Sequence, residues 1–370
     1  MAARPTTSQR TGAARAPQAA PARAHVRDFA GSAGAVQIEW DVRPAYDFLF
    51  SLSEDAGTTD DLPESDRAWL TSARAALPGH LRAEVDTLVA SDIAIHVASF
   101  VVEHPELRTV DQLVDGVASV STVDLIRAML SDFLRDPETG DLVERCAAGD
   151  RTAVAALAKA IPEHKAGFQA MLDDPAAAHR RILEVLRAWA DQFRPIESRV
   201  SAIIERDHAL RAADRGAYQG TDLIERTTGG VRWLPEVGIR RVVLAPSYFS
   251  RPYNFVLAGT DWRFFGYPVA DDAIDTDDQL APPPAVVRLH RALGDATRLR
   301  ILKLLAARDL YLTEIAQQLD LSKPTIKHHL ALLRAAGLVT ITESANVVYY
   351  SLRHDRIGDA SSELDRFLRP

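Results

Sequence analysis

The chain has 370 residues, 47% hydrophobic and 25% charged, with a net charge of −8, enough to bury a sizeable core spread over two or three domains. One cysteine, Cys146, excludes an internal disulfide and a multi-thiolate metal site within one chain. No stretch of about 18 uninterrupted apolar residues occurs, so no membrane span is expected and a cytoplasmic location is the default reading.

Residues 1–35 open the chain with five arginines in the first 30 positions among Ala, Pro, Ser and Thr. Without an apolar h-region this is no secretory signal, and it suits a disordered arm at least as well as an organelle transit peptide. Residues 36–270 form the expected large domain. From Pro44 to about Arg215 the spacing predicts helices almost throughout. "HRRILEVLRAWADQF" (179–193) sets Ile182, Leu186, Trp189 and Phe193 on one stripe, and "LRAEVDTLVASDIAIHVASFV" (81–101) is apolar on more than one side, as a central core element is. His96, inside that run, reads as a core residue and not as a ligand.

After Gly220 the composition turns to Val, Tyr, Phe and Trp punctuated by Gly and Pro. Strands are predicted at 239–245, 254–258 and 262–267, forming a small antiparallel sheet packed on the helices. The aromatics Trp233, Tyr248, Phe249, Tyr253, Phe255, Trp262, Phe264, Phe265 and Tyr267 suit an ordinary core, with a partly apolar ligand pocket as the alternative. "DDAIDTDDQLAPPPA" (271–285), acidic and with three consecutive prolines, reads as a linker.

Residues 286–370 form a separate module. A helix over 286–293 leads through Gly294 to Asp295, an expected N-cap, and to a helix turning Leu299, Ile301, Leu302, Leu304 and Leu305 inward. Thr313 is the expected N-cap of the next helix, with Ile315, Ala316 and Leu319 buried. The turn Asp320–Leu321 then reaches Ser322, which caps a helix with Pro324 in its first turn, where no hydrogen bond is lost. Ile326, Leu330 and Leu333 make that helix's buried stripe and leave Lys323, Thr325, Lys327 and His328 outside, with His329 beside the stripe. Two strands, 339–343 and 347–352, turn near Ser344–Asn346, and a last helix closes the chain.

Helix, tight turn, helix and hairpin make a winged helix-turn-helix. A recognition helix buries one side and presents short polar and basic groups at its amino end, where the helix dipole also favours phosphate. Thr325 is small enough for close approach to base edges, Lys327 and His328 donate to guanine or phosphate, and Ser322 and Lys323 suit the DNA backbone. The charge distribution agrees: 285–370 hold 13 Lys/Arg against 9 Asp/Glu, while 1–284 hold 30 against 42. Local potential, not net charge, steers binding to a polyanion.

Residues 286–353 resemble the DNA-binding domain of ArsR-type bacterial transcription regulators. "LGDATRLRILKLL", "LTEIAQQLDLSKPTIKHHLALLRAAGLV" and "VVYYSL" carry the likeness, in family order, over about a fifth of the chain. The resemblance implies a DNA-binding homodimer and ligand-relieved repression. It also marks two departures. "ARDLYLTEIA" carries no thiol where the family's cysteine sensors hold metal, and the last helix offers only His354, Asp355, Glu363 and Asp365, so no metal or other cofactor is expected. The wing turn "TESANV", with Asn346 as its candidate DNA contact, lacks a basic residue and carries Glu343, so either the wing contributes little affinity or the arginines of residues 4–27 supply the missing backbone contacts.

The fold class expected is mainly α (α+β): a helical N-terminal domain with a small sheet, then the winged helix. The function expected is a ligand-responsive repressor whose 36–270 domain dimerises or binds a small-molecule or protein effector. The helices around 286–293 and 356–368 are the candidate dimer surfaces. The alternatives are a protein-interaction or scaffold role in which the winged helix does not read DNA, or an enzyme fused to it. Against catalysis stand the missing phosphate loop, nucleophile elbow and metal motif, and Ser247 with no base assignable from sequence.

Overall fold

Helices dominate the chain because apolar residues recur at helical spacing between proline, glycine and capping residues. The computed structural model describes residues 36–53, 56–57, 61–90, 93–160, 171–274, 282–344 and 347–369. The expected arm, 1–35, lies outside them. Strand β1 (Gln37–Trp40) precedes α1 (Pro44–Phe50), α2 (Glu64–Ala76), α3 (Gly79–Ala90), α4 (Ile93–Glu103), α5 (Val110–Ser119), α6 (Thr122–Met129), α7 (Pro137–Ala147) and α8 (Arg151–Ala160). The long α9 (Pro175–Leu210), then α10 (Ala212–Ala217) and α11 (Gly220–Thr227), complete the helical body. Strands β2 (Val231–Trp233), β3 (Arg241–Ser247), β4 (Phe255–Ala258) and β5 (Trp262–Pro268) follow. The last module contains α12 (Pro284–Leu293), α13 (Ala296–Leu305), β6 (Leu310–Tyr311), α14 (Leu312–Leu319), α15 (Lys323–Ala335), β7 (Val339–Ser344), β8 (Val347–Leu352) and α16 (His354–Leu368). The molecule is mainly α with two small sheets, and among the described residues no helix is long and apolar enough to cross a membrane.

Helix α9 is the spine of the body. Asp174 caps it by accepting from the Ala177 N–H at 2.9 Å, with Pro175 in the first turn. Its 36 residues span about 54 Å. The stripe Ile182, Leu186, Trp189 and Phe193 is buried, and the Trp189 indole donates to the Ser51 hydroxyl at 2.8 Å. The apolar run 81–101 divides between α3 and α4, and Val97, Ala98, Phe100, Val101 and His96 are all buried.

The sheet of the body is ordered β1-β3-β5-β4. It corrects the antiparallel expectation: β1 and β5 both run parallel to β3, and only β4 is antiparallel. The reason is burial on both faces. Val243, Ala245 and Phe264 face the large helical core, while Val242, Leu244, Phe265 and Tyr267 enter a second apolar cluster with Trp233 and Ile224. Strands covered on both sides are near-continuously apolar, as parallel strands are, and lose the alternation of a half-exposed hairpin. Strand β1 was missed because its partner, Arg241–Leu244, lies about 200 residues away. Apart from half-buried Tyr253, the aromatic run packs into the cores on the two sheet faces. Gly266 is required there, since a Cβ would stand 2.7 Å from the Phe50 ring.

Helix α1 is buried along its length and is tied to the end of β3 by Asp47, whose Oδ1 accepts from the Ser247 hydroxyl at 2.7 Å and the Phe249 N–H at 2.8 Å. Burial pushes the Asp47 carboxyl up to about 7 against the opposing pull of these donors. An unfolded chain ionises the same group near 3.9. Between about pH 4 and pH 7 the folded protein therefore keeps a proton that the unfolded chain has lost, and stability falls as pH rises through that window. Asp47→Asn, which retains the accepting oxygen, is expected to flatten urea-unfolding stability across this range and to gain about 2–4 kcal/mol at pH 8. An unchanged pH slope would show that Asp47 titrates normally.

Candidate nucleic-acid interface

The helix-turn-helix is assembled by local caps. Asp295 accepts from the Arg298 N–H at 2.8 Å and starts α13 as expected. The side chain of Arg298 turns back on α12, donating to the carbonyls of Ala292 at 2.9 Å and Arg291 at 2.6 Å, which closes that helix's carboxyl end. Ile301, Leu302 and Leu305 are buried, but Leu299, expected inside, is 48% exposed, and Leu304 is half-buried. Thr313 does not cap α14. Tyr311 takes that place, its N–H donating to the Glu314 carboxylate at 2.9 Å. The β-bridge that pulls Leu310–Tyr311 into the wing sheet starts the helix earlier than composition indicated.

Asp320 ends α14 in the left-handed region, at φ 54°, and the Leu321 N–H returns to the Ala316 carbonyl at 3.1 Å. Ser322 then caps α15, accepting from the Thr325 N–H at 3.3 Å and sharing a 2.7 Å hydrogen bond with the Thr325 hydroxyl. Ile326, Leu330 and Leu333 are fully buried against the module's core. The opposite side carries Ser322, Lys323, Pro324, Thr325, Lys327 and His328, all exposed. Among the described residues neither lysine has an ion-pair partner, so two positive charges one turn apart stand uncompensated beside the positive end of the helix dipole. His329 is different: its ring is half-buried 3.9 Å from Asp295, and burial lowers its pKa, so it belongs to the packing.

Strands β7 and β8 pair antiparallel from Val339↔Leu352 to Ser344↔Val347. Tyr350 points inward, and Tyr349 hydrogen-bonds the Tyr311 hydroxyl. Asn346, at the wing turn, lies outside the described residues.

Three features at the rear of the module escaped sequence reasoning. Strand β2 of the N-terminal body adds to the wing, parallel to β7 from Val231↔Ile341 to Trp233↔Glu343, making a four-stranded sheet β2-β7-β8-β6. Gly230, at φ +120°, brings its carbonyl to the Ile341 N–H at 2.9 Å. Arg288 of α12 donates to Asp61 at 2.9 Å and to Asp271 at 2.6 and 3.2 Å. Arg334, near the carboxyl end of α15, is 7% exposed. A charged side chain by itself favours solvent, and no signal within the helix reveals the surface that covers this one.

Comparisons with known proteins match the sequence of this module. Residues 295–340 match the model of the arsR family of bacterial regulatory proteins. The chain is 36% identical over 81 residues to the HTH-type transcriptional regulator KmtR of Mycobacterium tuberculosis, covering 22% of this chain and 60% of that protein. It is 33% identical over 80 residues to the transcriptional repressor SdpR of Bacillus subtilis, covering 22% of this chain and 89% of that one. A solved structure, reduced HlyU of Vibrio cholerae, shares 29% identity over 23% of this chain and 92% of its own, at a TM-score of 0.19.

The exposed end of α15 yields a direct expectation. Lys327→Ala is expected to weaken duplex binding across sequences and to lower the slope of log K against log salt by about 1, and Thr325→Glu to abolish binding. Both side chains are exposed, so the thermal midpoint of each variant should match the parent. Parental affinity in both, measured by fluorescence anisotropy, would remove this face from the interface.

Proposed function

This chain belongs to the arsR family of bacterial regulatory proteins, and from that premise we propose that it regulates transcription by setting the amino end of α15 into the major groove of duplex DNA. The observation that carries the reading is the split of one helix into a fully buried apolar stripe and an exposed, uncompensated cationic end. Thr325, Lys327 and His328 are assigned to base edges. Ser322 and Lys323 are assigned to phosphates, with Asn346 at the wing turn. The activity requires a cytoplasmic location, where the chromosome is.

A dimer suits the reading, because one winged helix covers few bases and a two-fold pair covers two half-sites. Of the two helices expected at its interface, α12 is sealed by buried Val286, Leu289 and Ala292 and by the ion pairs of Arg288. Helix α16 instead exposes Ile357, Phe367 and Leu368, and is the surface we assign to the partner copy. Repression relieved by an effector at the 36–270 domain is the proposed logic. An organic effector fits better than a metal, since burial pushes the lone Cys146 thiol up to about 11, far from the thiolate a soft metal needs. Catalysis at Ser247 is disfavoured because that hydroxyl is fully buried on Asp47.

The test uses the full chain and a random duplex of about 30 base pairs, long enough for two half-sites. Binding at about 50 mM salt, weakening with a log–log slope steeper than about −3, supports the reading. No binding under those conditions sinks it and leaves the winged helix as a protein-contact module. Separately, Phe367→Asp with Leu368→Asp is expected to convert a sedimenting dimer to monomer. Dimers persisting in that double variant would place the interface elsewhere.

A further inference from the structure

Arg334 raises a question that DNA binding does not answer. Its guanidinium is buried, and among the described residues it has no hydrogen bond and no carboxylate partner. The groups acting on its charge, besides burial, are the phenols of Tyr350 and Tyr253. A buried cation without a counter-ion is costly unless an anion reaches it.

A cavity does reach it. About 150 Å³ of space lies between the body and the winged helix, with Arg251, Asp271, Arg288 and Arg334 in its walls. Arg251 and Arg288 both pair with Asp271, and Arg288 also pairs with Asp61. Three guanidiniums thus meet two carboxylates, and the surplus positive charge sits on Arg334. Next to this cavity, and sharing Arg288 and Ala335 as walls, opens a second cleft of about 380 Å³, with Val287, Ala292 and Leu332 as an apolar wall and Asp61, Arg291, Arg298 and His328 around it. One unpaired guanidinium in the first cavity, with an apolar wall in the cleft beside it, suits a monoanion with a hydrocarbon part better than an inorganic dianion.

We propose that this junction binds a small organic carboxylate, its carboxylate accepting from Arg334 and its apolar part lying along Val287, Ala292 and Leu332. Because Thr228, Gly229 and Arg251 of the body share the cavity walls with Arg334, the ligand lies between the body and α15, and its occupancy biases the orientation of α15. That coupling rests on the DNA-binding reading, whereas the binding itself does not, and its test contains no DNA.

The full chain is titrated with acetate, hexanoate, benzoate and inorganic phosphate by calorimetry and thermal unfolding. Hexanoate and benzoate are expected to bind with Kd in about the millimolar range or tighter and to raise Tm by about 2–5 °C at saturation. Acetate and phosphate should bind at least about tenfold more weakly, because neither fills the apolar cleft. Arg334→Met should lose hexanoate binding by at least about tenfold while unfolding at or above the parental Tm, since it removes an uncompensated buried charge. Should that variant not fold, hydrogen exchange on the unaltered chain decides: hexanoate must protect amides at 228–229 and 334–336. The proposal is overturned if no organic carboxylate binds, if phosphate binds as well as hexanoate, if a folded Arg334→Met retains affinity, or if protection maps elsewhere.

Discussion

Arg288 donates three hydrogen bonds to two carboxylates outside its own helix, Asp61 from the helical body and Asp271 from the turn after β5, and this ion cluster orients the winged helix on the rest of the chain. Removing such charges from water costs several kcal/mol per ion, which only good geometry and further hydrogen bonds offset. Both are present. Arg251 shares the Asp271 carboxylate with Arg288 and also donates to the Asp61 backbone carbonyl, so it holds in place both acidic residues that receive Arg288. A second tie, the pairing of β2 with β7, prevents rotation about the first. With its rear held by these contacts, α15 presents its cationic end outward.

The body that receives the module is built around two-faced burial. Alternate residues of β3 and β5 enter different apolar clusters, one shared with α9 and α1, the other with α11 and β2. Because β2 ends in Trp233, which is buried in the second cluster, the strand that extends the wing is anchored directly in the body's core. Asp47 occupies a similar position at the other sheet face, holding α1 to the end of β3 with no solvent access.

Most of the cationic end of α15 was legible in the residues themselves. Ser322, Pro324 and the stripe Ile326, Leu330 and Leu333 specify a start and a buried side for α15 by rules that act within four or five positions. The wing strands follow from period-two alternation, and the cap at Asp295 from its place just before an apolar helical run. Errors arose where a distant partner overrode local preference. Tyr311, recruited by β8, displaced Thr313 as the cap, and Leu299 faces outward because Arg298, one position earlier, turns inward to close α12. The parallel sense of the body's sheet was hidden for the same reason, as β1 and β3 are separated by the entire helical body.

Periodicity, capping and charge spacing thus settled most helices and the cationic end of α15, because these are recorded within a turn or two of chain, while the ordered motifs of 286–353 carried the family resemblance. Folding in three dimensions settled the strand order, the extension of the wing by β2, the ion cluster at Arg288 and the burial of Arg334. Those features depend on which surfaces meet, and the meeting residues lie from 17 to more than 200 positions apart, beyond the reach of any local pattern.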